Sequence, residues 1–384
     1  MKRVISLGLA LAMLVIAVGA CAPGSGGPIA LNVATAGDTN MADLQKDVFG
    51  PAFIKNNPNV TINVVGTGPG DPGSAAIYTK LKAQKDAGKK NWDIDVAVVH
   101  QAVMESLIKE DMLEKYVPST SVAKYVVSAD AKNSLGTNVD GYVIPMFHSQ
   151  VVIAYNPKYV TKVPKTYQDL IDYAKANPKK FGYNGIKGGM SGLGFTTGYL
   201  YWKTGQYDLL TKGPYDTKNE AKWADTFKEL KAINDVSTIT TGNADTLDKL
   251  NRGEIYMGPV WVDMLVLWKN EGRMDPSIEM ALPDPGIPGQ PMYLVVPKEA
   301  EHKAEAIKFI EMISSPEQQA SVIVERNGWY PGIDPTVVLP NVSAAAKDKL
   351  FRGVSADDLN KKGLLFPLAP YFKDLQDICA QATQ

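Results

Sequence analysis

The chain has only two cysteines and three histidines in 384 residues. Two thiols allow one disulfide at most, and Cys21 and Cys379 stand near opposite ends, so the fold must rest on its apolar core. His100, His148 and His302 are far apart, no His-Glu-x-x-His occurs and no cysteine pair has ligand spacing, so no metal motif is legible. An excess of either charge is missing too. Forty basic residues face 41 acidic ones and no basic run appears, which argues against a nucleic-acid partner. No internal repeat and no long low-complexity segment occurs. Beyond the first twenty residues no apolar run reaches the ~20 residues of a membrane span.

What is present starts at the N-terminus. Met1-Lys2-Arg3 is basic, and Val4 to Val18 is apolar apart from Ser6 and Gly8. Val18-Gly19-Ala20-Cys21 follows, and then a loose Ala22-Pro23-Gly24-Ser25-Gly26-Gly27. A charged start, a short apolar core and small residues before a cut make a secretory signal. Ending on cysteine, it resembles the lipobox of bacterial lipoproteins. That resemblance implies a signal peptide over 1–20 and lipid attachment at Cys21. It also implies a flexible tether over 21–28 and an extracytoplasmic body anchored to a membrane. An ordinary signal peptide with a chance cysteine is the alternative. Cleavage leaves about 360 residues, which suggests two domains rather than one core. Cys379 then reads as an incidental free thiol.

Short apolar strands alternate with amphipathic helices, the pattern of an α/β protein. Strands are expected at Ile29 to Ala36, Val60 to Val65, Ile94 to Val99, Tyr142 to Pro145, Val151 to Tyr155, Ile255 to Gly258, Ile278 to Ala281 and Met292 to Val296. The stretch Met146 to Gln150 reads as a loop joining two of them. Helices are expected at Ala42 to Asn56, Ser74 to Asp86, Thr166 to Ala176, Asn219 to Ile233 and Glu299 to Ile313. Pro283, Pro285, Pro288 and Pro291 mark a crossing segment that neither helix nor central strand accommodates. Ser315 caps a further helix, with Pro316 first in it and Gln318 closing a capping box.

Four separated segments resemble bacterial extracellular solute-binding proteins of the family 1 type, relatives of maltose-binding and polyamine-binding proteins. They are Trp92 to Val99 with Leu113-Glu114, Gly141-Tyr142-Val143-Ile144-Pro145 through Tyr155-Asn156-Pro157-Lys158, Arg252 to Trp261, and Ala304 to Gln318. Gly328-Trp329-Tyr330-Pro331 fits as well. The resemblance implies a two-lobe periplasmic-binding-protein-like fold (type II), with a ligand cleft between lobes joined by crossing strands. It places one lobe at 29–150 and 285–335, the other at 151–284, and a tail at 336–384 packing on them. It implies hinge closure on a small solute and handover to the permease subunits of an ABC importer by a monomer without a cofactor.

Candidate ligand contacts follow from residue type. Phe147, Trp261, Trp329 and Tyr330 offer flat faces for sugar rings or cations, and core packing is their alternative. Trp202 and Trp268, in helical patterns, read as core. Asp263, Asp38 and Asp71 offer carboxylates for hydroxyls or an ammonium, and helix capping is the alternative for Asp38 and Asp263. His100, Gln101, His148 and Gln150 are neutral polar groups that suit a hydroxyl-rich ligand. Two glycine-rich loops, Gly66 to Asp71 and Gly188 to Gly194 with Ser191, precede helices but match no phosphate or dinucleotide motif. Leu193 stands where a nucleophile elbow around Ser191 needs glycine, and nothing positive points to a secreted hydrolase. Neutral carbohydrate or polyol is the first expectation. A cation such as a polyamine or thiamine, met by Asp38, Asp263 or Asp284, is the second. An anion met by Lys187 or Lys203 is the third.

Overall fold

The computed structural model describes residues 27–68 and 70–383. The expectations for the signal and for Cys21 lie outside them. Thirteen strands are named in chain order: β1 (Ile29–Thr35), β2 (Val60–Gly66), β3 (Val96–Val99), β4 (Asn133–Ser134), β5 (Thr137–Asn138), β6 (Ile144–Tyr155), β7 (Gly182–Tyr183), β8 (Thr238–Ile239), β9 (Met257–Trp261), β10 (Glu279–Ala281), β11 (Ile287–Val295), β12 (Tyr330–Pro331) and β13 (Gly363–Leu364).

The first half of the molecule is built on β1. It pairs in parallel with β2 over its whole length and with β3 on its other side. Every residue of β3 is buried, as expected of a parallel strand covered on both faces. β11 adds antiparallel to β3, and the front of β6 adds to β11. The helix Gly70–Asp86 covers the sheet with Ile77 and Leu81, and Lys303–Ile313 turns Ala306, Phe309, Ile310 and Ile313 inward. Phe309 meets Phe53 edge to face.

β6 is the element that joins the halves. Ile144 to Gln150 pair with β11, while Val151 to Tyr155 pair with β9 and Ile153 to Tyr155 with β10. A bridge from Phe181 to Met257 continues the second half to β7, which pairs with β8. The helices Tyr167–Ala176, Met190–Thr204 and Trp223–Val236 pack on this side. Thr166 and Asp169 form the expected capping box at the first of them.

Three local expectations are corrected. Met146 to Gln150 is strand, because it is paired with β11 on one side and continues into the buried run Val151 to Tyr155, and its polar residues His148, Ser149 and Gln150 are held within the sheet. Pro288 and Pro291 lie inside β11, opposite Leu364 of β13 and His148 of β6, and the register with β6 shifts just beyond them, between Met292 and Tyr293. The helix expected from Ala42 contains a π-helical stretch, Leu44–Phe49, just before Pro51, whose missing N–H an unbroken α-helix would not tolerate. The two crossing strands meet at Gly289. A side chain there would lie 2.6 Å from the Ser149 carbonyl oxygen and 2.7 Å from His148 Nε2, so glycine permits their close approach. Among the described residues no helix is long and apolar enough to cross a membrane.

Candidate functional site

Strand ends from both halves open onto one cavity of about 810 Å³. The turn after β1 brings Asp38, Asn40 and Met41, and the end of β3 brings His100. β6 contributes Phe147 and Ser149, and β11 contributes Gln290 and Met292. The end of β9 brings Trp261, and the helix after it (Val262–Asn270) brings Asp263 and Met264. Two further helix starts, at Met190 and Asn243, edge the cavity together with Lys187. Ligands in α/β folds characteristically bind at such carboxyl ends of strands.

Asp263 sits deepest in charge terms. It is 8% exposed and belongs to no ion pair among the described residues. The Ser149 hydroxyl donates to its Oδ1. Burial raises its pKa to about 6; the Ser149 hydroxyl and the Trp329 indole N–H, which faces it from outside hydrogen-bond geometry, pull it down, and Asp38 pushes it up through repulsion. Phe147 and Trp329 stack beside it, with ring centroids 4.1 Å apart and planes 5° from parallel. Trp329 Nε1 and His100 Nδ1 are buried without a hydrogen-bond partner. His100 Nδ1 lies 3.6 Å from Asp71 Oδ1, beyond hydrogen-bond range.

Asp38 faces the other half. Burial raises its pKa, and the neighbouring Asn243 amide and His100 lower it. Asn243 Oδ1 accepts from Asn184 Nδ2 and Ser191 Oγ, each at 2.8 Å. Its oxygen is thus fully used, and only its NH₂ remains to donate.

The cavity therefore gathers Asp38, Asp71, His100, Phe147, Trp261, Asp263 and Trp329 from the expected contacts. Four others lie elsewhere. In β6 alternate side chains point to opposite faces, so Phe147 and Ser149 face the cavity while His148 and Gln150 turn away. His148 Nδ1 bonds Asp130 Oδ2 at 2.9 Å, and Gln150 Nε2 donates to the carbonyls of Val151 and Ile287. The same alternation turns Tyr330 from the cavity that Trp329 lines, and its hydroxyl reaches Leu350 O. Ser191 is fully buried one layer back, holding Asn243. Asp284 and Lys203 are engaged by Lys362 at 3.0 Å and Glu229 at 2.6 Å. Gln101 Nε2 reaches the Tyr293 hydroxyl instead of the cavity. Trp268 is buried as expected, under Arg273, whereas Trp202 is half-buried against Tyr167. Cys379 is a buried free thiol whose pKa burial pushes up to about 12.

Residue reading missed Asn243, Gln290, Met41, Met264 and Met292, and also Gln376, Asp377 and Gln381 of the terminal helix. For Gln290 and Met292 the signal was strand alternation within β11, hidden by its prolines. For the terminal helix no local signal exists, because only the folded path of the tail brings it there.

A sequence model of the family described as bacterial extracellular solute-binding protein matches residues 51–349. No curated protein sequence matches the chain. Solved structures share its fold at low identity. An ABC transporter solute-binding protein from Thermotoga lettingae, bound with α-D-tagatose, is 16% identical with a TM-score of 0.72, covering 92% of this chain and 93% of that one. A GABA receptor is 22% identical with a TM-score of 0.66, covering 92% and 96%. A protein assigned to spermidine/putrescine ABC transport in Listeria monocytogenes is 16% identical with a TM-score of 0.66, covering 92% and 99%. At these identities the likeness carries the fold alone, the two-lobe α/β architecture expected from the sequence.

Proposed function

Because the chain belongs to the bacterial extracellular solute-binding proteins, a family that works outside the cytoplasm, we propose that it captures one small solute between two lobes and delivers it to the permease of an ABC importer. The lobes are the two halves of the sheet, at 29–150 with 285–335 and at 151–284. Closure is a population shift toward the liganded form. The chain acts as a monomer tethered through a lipid on Cys21, and it has no catalytic step, in keeping with a family of solute-binding proteins.

The solute carries an ammonium group. The observation behind this is Asp263, a buried carboxylate with no basic side chain in ion-pair reach among the described residues, set among Phe147, Trp261 and Trp329. An ionised carboxylate is costly to bury unpaired. A solute cation would neutralise it while the aromatic faces hold its positive charge. The relatives named above include one that binds GABA and one assigned to polyamine transport. Neutral carbohydrate is the second reading, favoured by the uncharged Asn40, Ser149, Asn243 and Gln290 along the same walls.

Thermal melts of the soluble body at pH 7.5 against amines, amino acids, betaines, sugars and polyols test both. A ligand of the folded state adds ~2.7 kcal/mol at a hundredfold excess over Kd. Stabilisation by ammonium solutes supports the first reading, and stabilisation by sugars alone overturns it in favour of the second. Stabilisation by nothing in the panel counts against solute capture. Mass spectrometry of the membrane-extracted protein checks the lipid on Cys21.

A further inference from the structure

The chain after residue 360 touches both halves in succession. β13 pairs with the start of β11, Ile287 with Gly363 and Pro288 with Leu364. Beyond it two consecutive amides reach in opposite directions. The Leu368 N–H donates to Leu210 O in the second half, and the Ala369 N–H donates to Leu135 O in the first, both at 2.9 Å. Leu135 belongs to the β4–β5 hairpin, which Ser134 Oγ ties to Gln101 O just past β3. The Leu368 side chain sits over Gly136, where an added Cβ would lie 2.7 Å from it.

The terminal helix Ala369–Ala382 starts at this point. It buries Tyr371, Phe372, Leu375 and Cys379, lies along Trp223–Val236, and so belongs to the second half. The Tyr371 hydroxyl accepts from Asp216 N and Asn219 Nδ2 at 2.8 and 2.7 Å, and Tyr215 donates to Asp374 at 2.6 Å. The remaining face puts Gln376, Asp377, Ala380 and Gln381 on the cavity. Asp377 is paired with Lys373 at 2.7 Å, and Ala380 has no polar group. The two glutamines are left to meet a solute: Gln376 Nε2 already donates one proton to Phe372 O at 3.2 Å, which leaves it a second N–H and its Oε1, and Gln381 offers both a donor and an acceptor.

We infer that this C-terminal segment is a strap forming a third wall of the solute cavity: Leu368 and Ala369 clamp the two halves together, and Gln376 and Gln381 contact the solute. The inference rests on the proposed capture function. Moving the halves apart must break the Ala369 bond to Leu135 or the Leu368 bond to Leu210. The clamp therefore favours the arrangement of the halves seen here, with the glutamines already on the cavity wall.

Ala369→Pro isolates the clamp. Leu368 has φ −50° and ψ 147°, which a residue before proline favours, and Ala369 is the first helical residue, where proline fits. The variant removes one N–H and leaves the bond to Leu210 and the helix. Spin labels at Val65→Cys and Ile239→Cys, 60% and 51% exposed near the ends of β2 and β8, report the distance between halves in a Cys21→Ser, Cys379→Ala background. Without solute, Ala369→Pro should lengthen and broaden that distance while the melt stays cooperative. Leu368→Ala, which keeps both amides, should move it the same way by less. Superimposable distributions in both variants overturn the clamp. Gln376→Ala and Gln381→Ala should each weaken binding of the solute found in the thermal panel by roughly 5–30-fold with an unchanged melt, on the ~1–2 kcal/mol of a lost hydrogen bond. Unchanged affinity in both removes the wall. If no solute in the panel binds, the capture reading fails by itself, while the label distances still decide the clamp.

Discussion

Two aromatic groups use similar side chains and leave their polar atoms in different states. In the second half Tyr167, Phe181, Tyr183, Phe195 and Tyr199 form a cluster with ring centroids 5.0–6.2 Å apart. There Tyr167 donates to Phe195 O at 3.1 Å and Tyr183 donates to Asn234 Oδ1. On the cavity wall Phe147 and Trp329 pack as closely, yet the Trp329 N–H and the neighbouring His100 Nδ1 have no partner. Buried polar atoms are nearly always paired in native proteins. Unpaired atoms such as Tyr173 Oη and Thr196 Oγ1 occur in the core as well, so what sets the wall apart is that Trp329 and His100 also border the cavity.

Substitutions can break this contrast, and the largest effect belongs to the core. Trp223→Ala removes a fully buried ring whose Nε1 is already bonded to Gln206 Oε1 at 3.2 Å, and it should cost about 3–5 kcal/mol in urea denaturation. The wall carboxylate should behave the opposite way. Asp263→Asn should abolish measurable binding of an ammonium solute by calorimetry while stabilising the empty protein at pH 7.5 by about 1–3 kcal/mol, the scale set by a pKa raised to about 6. The sign follows from linkage. A carboxyl with a raised pKa favours the folded state fully only below its unfolded value near 4, and that contribution is lost as pH rises through about 6. The gain from Asp263→Asn should therefore vanish at pH 4, and wild-type affinity for a cation should fall as pH drops below about 6.

Two smaller tests sharpen the comparison. Trp329→Phe shrinks a buried ring and deletes the wall N–H, so it should cost about 1–2 kcal/mol of stability and also weaken solute binding several-fold. Tyr183→Phe deletes one paired hydroxyl and should cost about 1 kcal/mol of stability without touching affinity. Unchanged affinity in Trp329→Phe would erase the distinction between wall and core.

Much of the architecture was legible because it is written in continuous apolar runs. Val96 to Val99, with no polar side chain, reads as a doubly covered strand, and the fold makes it one. The site was legible where a side chain follows a strand end, as Asp38, His100, Trp261 and Asp263 do. It was illegible where facing decides. Treating 146–150 as a loop gave His148 and Gln150 the same standing as Phe147 and passed over Ser149, which lines the cavity. One residue of strand alternation separates the members of each pair. The tail was least legible, since Gln376 and Gln381 reach the cavity only through pairings with residues more than a hundred positions away.

The unbroken β6 has a mechanical consequence. A joint made of loops would swing freely, with no preferred angle. Here the connection is a pair of long strands hydrogen-bonded to each other from Gly289–Gln150 onward and locked at a point where only glycine fits. Such a joint bends as a stiff leaf bends, by spreading twist over many residues, and it stores work as it does so. If the halves close on a solute as proposed, part of the work of closure goes into twisting β6 and β11 together.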